Sequence, residues 1–176
     1  LPTTGTVVEV SSGTGEHVVH FARQHPALTW HPSDISSEAL MSIDAWIAHE
    51  GLENIKPAIR LNTQMHPWPI EKADALININ MIHISPWESC ENLFLGAQSL
   101  LSKGAPFFLY GPFLVEGKTT AESNVTFDQG LRHRNKKWGI RELDAVKKLA
   151  ETHDFETEEV VEMPANNLTV VFRKSA

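Results

Sequence analysis

Only one cysteine, Cys90, and one tyrosine, Tyr110, occur in the sequence. A single thiol can build neither a disulfide framework nor a thiolate zinc site, and it fits a reducing compartment. No 18 apolar residues run together, and no charged segment followed by an apolar stretch opens the chain, so neither a membrane helix nor a signal peptide is expected. Basic residues are outnumbered 15 to 22, giving a formal net charge of −7. That field repels nucleic acid and anionic membranes unless a local basic patch intervenes. Repeats and low-complexity tracts are absent. The expectation is a soluble, cytoplasmic protein, with nucleic acid and membrane disfavoured as partners.

What is present fits one domain over residues 1–176. The chain is 41% hydrophobic, and short apolar strands alternate with helical patterns, the signature of an α/β fold with a largely parallel sheet. Strands are predicted at 6–10, 28–31 (closed by Pro32-Ser33-Asp34), 59–61, 75–79 and 106–110, and a final pair at 156–162 and 168–173. The joint between that last pair, Met163-Pro164-Ala165-Asn166-Asn167, is too short for a parallel crossover, so they should be antiparallel. Helices are predicted at 15–24, 36–51 (Leu40, Ile43, Ala45, Trp46 and Ile47 inward, Gly51 as stop), 91–101 and 140–152. Residues 111–139 are the least regular and read as an insertion over the active-site face.

In such sheets ligands bind beyond the carboxyl ends of the strands. Six predicted strand ends carry small or polar groups there: Ser11-Ser12-Gly13-Thr14-Gly15, Asp34, Asn62, the stretch Asn78 to His83, Tyr110-Gly111, and Asn166-Asn167. Glycines permit close backbone approach, and the following helix start presents unpaired N–H groups. Dinucleotides and S-adenosylmethionine (SAM) both use this device, and a tight structural turn is the plain alternative. The dinucleotide fingerprint wants a third glycine where Val18 stands. Glu9, inside the strand before the turn, suits a ligand with a cationic amino group, as SAM has. Asp34 lies about 20 residues past the turn, the distance at which an acid meets ribose hydroxyls.

These residues resemble a class I SAM-dependent methyltransferase: VVEVSSGTGEH at Val7–His17, the acid of HPSD at Asp34, and LLSKGAPFFLYGPF at Leu100–Phe113. More closely, nearly the whole chain resembles a poorly characterised methyltransferase-like branch once classed as a domain of unknown function. Its marks here are SSGTGEH, WHPSD, SIDAWI, INMIHISPW, LYGPF, ESNVTFDQGLRHR, GIRELDAV and MPANN. The resemblance implies a Rossmann-like fold: a mostly parallel seven-stranded sheet with an antiparallel last strand and helices on both faces. It also implies SAM as cofactor. Glu9, Ser11 and the Gly13-Thr14-Gly15 backbone would meet the methionine part and Asp34 the ribose, with Ile35, Asn62 and Thr63 beside the adenine and Asn80 and Met81 on the floor near the sulfonium. The first glycine of the family's motif is Ser11 here, which predicts a tighter turn or weaker binding. The family also has a segment before the first strand that helps cover the pocket, and that lead-in is missing ahead of Leu1.

Methyl transfer needs alignment of nucleophile and methyl, and removal of a proton where one is present. His83 is the candidate base, or else a histidine bonded to loop backbone. Tyr110 would donate to a substrate carbonyl, or cap its strand in water. Arg141, Asn166 and Asn167 are candidate acceptor-binding residues, with Arg134 and Arg141 reaching the rim to fork a carboxylate. His17 and His20 share a helix face, but no third ligand stands at metal spacing, so no metal is expected. Cys90 near Trp87 reads as a structural buried thiol rather than a nucleophile. Two other classes stay open: a non-catalytic binding module on the same fold, and an NAD(P)-dependent oxidoreductase.

Overall fold

The computed structural model describes all 176 residues. In chain order the elements are β1 (Gly5–Val10), α1 (Glu16–Gln24), β2 (Leu28–Asp34), α2 (Ser37–Glu50), β3 (Ile59–Arg60), β4 (Ala75–Ile79), a 3-10 turn at Met81–His83, α3 (Trp87–Leu100) and β5 (Pro106–Gly111). There follow β6 (Phe113–Leu114), α4 (Glu122–Arg134), β7 (Arg141–Glu142), α5 (Leu143–Glu151), β8 (Phe155–Met163), a 3-10 turn at Pro164–Asn166 and β9 (Asn167–Lys174).

Seven strands form one sheet in the order β3-β2-β1-β4-β5-β9-β8. The first five are parallel, and β9 runs antiparallel to both β5 and β8. The mostly parallel sheet with an antiparallel last strand is therefore as expected. β6 and β7 make a separate parallel ribbon beside it.

Alternation along β1 feeds two cores. Val8 and Val10 enter a cluster of 23 buried residues that includes α3 and α5 side chains, while Val7 joins a cluster of 10 containing Val18, Val19 and Ala22 of α1 and Ile43 of α2. Helices thus cover both faces. Phe94 centres the larger core, with ring centroids of Phe107, Phe155 and Phe172 between 5.1 and 6.0 Å away, all edge-on. Such contacts add about 0.5–1.5 kcal/mol per pair beyond simple burial. Gly15 sits where a Cβ would lie 2.9 Å from the Ile43 backbone, so α1 and α2 approach each other at that residue.

Five expectations need correction. β2 does not stop at His31 but runs through Pro32 to Asp34. Trp30 uses its outer side to bond Asn54 and Lys56. Pro32, two residues on, turns its donor-free nitrogen to that same side, where β3 has not yet begun pairing, so no ladder bond is lost. α3 begins at Trp87, a turn earlier than predicted. Ala45, expected inward, is exposed on α2, where Ile43 alone is fully buried. The irregular stretch contains the 13-residue α4, and residues 141–142 are strand rather than helix. α4 buries only Asn124 and Leu131 while Val125 and Phe127 stay exposed, so it carries no apolar stripe for periodicity to detect.

Candidate functional site

The turn after β1 is built from three left-handed residues, Ser11 (φ 60°), Gly13 (φ 59°) and Gly15 (φ 94°). Ser11 takes the backbone conformation that favours glycine, so the turn keeps its shape at the cost of some strain, of order 1–2 kcal/mol. Ser12 ties it down: its hydroxyl accepts from the Ser33 N–H (3.1 Å) and donates to the Glu9 carbonyl (3.3 Å), which also accepts from the Ser33 hydroxyl (2.8 Å). Asp34, at the end of β2, accepts from Gly13 N–H (3.1 Å) with one oxygen and from Ser36 N–H (2.9 Å) with the other. The two strand ends are locked together through backbone N–H groups.

Beyond them lies a cleft of about 370 Å³. Of the predicted residues, Ser11, Gly13, Asp34, Ile35, Asn62, Thr63 and Met81 line it. A Cβ on Gly13 would meet nothing within 4 Å, so its backbone faces open space. Leu61, Gln64, Ile79, Ile84, Ser85 and Ser89 also line the cleft and were not predicted. Ser89 arrives through the early start of α3, which the sequence pattern placed four residues too late. Thr14 and Gly15 stand behind the turn: the Thr14 carbonyl accepts from Ser42 (2.8 Å), and Gly15 packs on α2. Asn80, left-handed at φ 62°, does not line the cleft; its N–H donates to the Tyr110 carbonyl (2.9 Å).

Glu9 is 1% exposed, and neither carboxylate oxygen has a partner. Burial pushes its carboxyl up to about 7; the nearby Ser12 hydroxyl pulls it down in part, and the Asp34 charge pushes it up further. Asn78 at the end of β4 donates to the Val10 carbonyl (2.9 Å), while its buried Oδ1 is likewise unpartnered. Buried acceptors without donors are uncommon in native structures. Here three such oxygens lie at the carboxyl ends of adjacent strands.

The predicted chemistry residues behave differently. His83 is fully buried; its Nδ1 accepts from Arg141 N–H (3.3 Å) and its carbonyl from Gly139 N–H (2.9 Å). Burial, reinforced by the Arg141 charge, pushes the imidazole down to about 3. The bond to loop backbone is what the geometry contains, and the ring does not reach the cleft wall. Tyr110 faces a different groove, beside His17, Phe21 and Phe108. The Arg141 guanidinium is not free to fork a carboxylate. Nε donates to Ile82 O (2.9 Å), Nη2 to Ser85 O (2.6 Å) and Lys137 O (3.0 Å), and the group sits 5.8 Å from the Trp87 ring centre. It staples the turn after β4 in place. Arg134 lies over Trp138 instead of the rim. Asn167 donates to its own turn at Pro164 O (3.3 Å), whereas Asn166 lines a second cavity beside Asn124 and Phe113. Cys90 is buried in α3, its thiol pushed up to about 12 by burial, so it is not activated.

The sequence matches the family described as "Protein of unknown function (DUF938)" over residues 1–174. Among solved structures it is similar to CalO1, a methyltransferase in calicheamicin biosynthesis solved with SAH bound (TM-score 0.81, 17% identity, 99% of this chain and 50% of that one). It is similar also to an O-methyltransferase family 2 protein from Planctomyces limnophilus DSM 3776 in complex with apigenin (0.85, 16%, 99% and 55%). A third is the mitomycin 7-O-methyltransferase MmcR (0.86, 13%, 98% and 49%). The chain spans about half the length of these structures. At these identities the likeness is one of fold, and the fold is that of the class I SAM-dependent methyltransferases, Rossmann-like as expected.

Proposed function

We propose that this chain, which belongs to the DUF938 family of proteins of unknown function, is a SAM-dependent methyltransferase acting on a small molecule. The observation that carries the reading is Glu9: a buried carboxylate with two orphaned oxygens, on the strand whose following turn lines an open cleft that also holds a second acid, Asp34. A ligand with an ammonium group at one end and a ribose further along answers both. Asn78 Oδ1 offers a third acceptor. The bound forms named for similar structures, SAH in CalO1 and apigenin in the Planctomyces protein, agree with such a ligand and with a small acceptor.

Glu9 would hold the ammonium, the Ser11–Gly13 backbone would lie against the methionine part, and Asp34 would hold the ribose hydroxyls with its remaining lone pairs. Ile35, Leu61, Asn62 and Thr63, which line the cleft, would flank the adenine, and Met81 would lie near the sulfonium. The chemistry such a cofactor would supply is an electrophilic sulfonium methyl for an acceptor's lone pair. Asp34 is the one ionisable side chain on the cleft wall, and His83 is interior with one nitrogen engaged. This chain therefore contributes alignment rather than a strong base. The glycine turn does not favour a dinucleotide, because Val18 occupies the third glycine's place and is buried.

Calorimetric titration with SAM, SAH and NAD tests the reading. Saturable binding of the first two and none of NAD is expected; NAD binding alone overturns it. Cofactor binding without methylation of any acceptor across a broad panel would instead favour a non-catalytic module.

A further inference from the structure

A second cavity, of about 230 Å³, opens between β6, the start of α4 and the β8–β9 turn. It lies outside the cofactor cleft and shares no lining residue with it. Phe113, Val115, Met163 and Leu168 give it an apolar wall. Facing them is Asn124, 8% exposed, whose Nδ2 donates to the Asn166 carbonyl at 3.0 Å. Its Oδ1 has no hydrogen bond and is left for the cavity.

Charge at the mouth is balanced. Lys118 and Glu162 pair at 3.2 Å, both largely exposed, and Glu122 stands in the first turn of α4, whose dipole would otherwise attract an anion. The volume falls below the roughly 300–1,000 Å³ of drug-sized sites. Phe113 connects the two regions: its ring meets the His83 ring edge-on at 5.2 Å, and His83 closes the turn that supplies Met81 to the cleft.

We propose that this cavity binds the body of a compact, neutral molecule of the phenol class, an apolar ring lying on Phe113 and Met163 with one hydroxyl donating to Asn124 Oδ1. That this ligand is the methyl acceptor rests on the function proposed above; the site itself does not.

Three probes of similar shape separate the alternatives: p-cresol (neutral donor), p-xylene (no donor) and p-toluate (anion). Each is titrated into the ¹⁵N-labelled chain, with and without SAH, and followed by NMR. The expected result is saturable movement of the Phe113, Asn124 and Met163 resonances by p-cresol, at least fivefold tighter than by p-xylene. Asn124→Leu should reduce p-cresol to the p-xylene level without weakening p-xylene. Met163→Trp, which fills the cavity from its exposed side and leaves the Asn124 hydrogen bond alone, should abolish both. Tighter binding of p-toluate overturns the assignment, as does an unmoved Asn124 or a p-cresol affinity untouched by either variant. If SAH moves the Ser11–Asp34 resonances while p-cresol leaves Asn124 still, this site falls and the methyltransferase reading stands. The opposite pattern supports the site and removes that reading.

Discussion

The two halves of the sheet's carboxyl rim treat their polar residues in opposite ways. At the ends of β1 and β4, the acceptors Glu9 Oε1, Glu9 Oε2 and Asn78 Oδ1 are buried and unanswered. Across the rim, from β5 to α5, the polar groups mostly answer one another. Arg141 gathers three carbonyls, Asp128 accepts from Ile140 N–H (2.7 Å), and Asn124 holds the Asn166 carbonyl. The first half leaves buried acceptors unpaired, and the second is largely self-satisfied. A polar residue near a strand end is therefore a poor guide to binding until its partners are counted.

The sharpest way to break this contrast is to remove an acid from the first half. Asp34→Ala should cut SAH affinity by about 50-fold or more, since hydrogen bonds to a charged group contribute about 1.5–3 kcal/mol each and the Gly13 and Ser36 N–H groups lose their acceptor too. Calorimetry reads the loss directly, and an unchanged affinity would remove the site assignment.

Glu9→Gln comes next and carries a pH signature. The folded chain holds the Glu9 proton up to about 7 against an ordinary value of 4.5. Between those values it binds more protons than the unfolded chain, so ligand-free stability should fall as pH rises, by about 3 kcal/mol in all. Affinity for an ammonium ligand should move the other way, strengthening as pH rises through 7. Glu9→Gln should flatten both profiles and weaken SAH about tenfold near pH 8, as urea melts and calorimetry across pH 5–8 would record.

On the self-satisfied half, Arg141→Met should leave three carbonyls without their donor. The expected loss is about 1–3 kcal/mol, with faster amide exchange confined to residues 81–85 and 137–141. Exchange rising evenly over the whole chain would argue against a local staple. The smallest effects concern backbone strain. Ser11→Gly and Ala165→Gly both relieve a left-handed residue, at φ 60° and 58°. Each should raise stability by about 0.5–1 kcal/mol in thermal melts, because the glycine's greater unfolded-state entropy offsets part of the relief.

Much of the first half was legible because its logic is local in sequence. Glu9, the glycine turn and Asp34 fall within one strand–helix–strand unit, where spacing alone specifies geometry. The substitution at Ser11 looked like a change in the turn, yet the serine adopts the glycine's conformation. Arg141 was misread because its role depends on carbonyls at Ile82 and Ser85, and a pattern of side-chain types carries no information about which backbone oxygens need a donor. His83 was placed correctly at the end of β4 but its burial was not, since Phe113 and Gly139 reach it from far along the chain. α4 escaped notice for want of a stripe, and with it the Asn124 cavity.

β9 follows β8 in the chain but lies inside it in the sheet. A polypeptide emerging amino end first therefore completes β1 through β5 long before the edge of β5 can be closed. Until residues 167–174 are synthesised, Pro106–Gly111 is an open strand edge, and the Phe107 ring lacks the Phe172 ring that packs against it in the finished core. Exposed edges of this kind are templates for pairing with other chains. Nascent chains halted between β8 and β9 should thus be the species most dependent on chaperones.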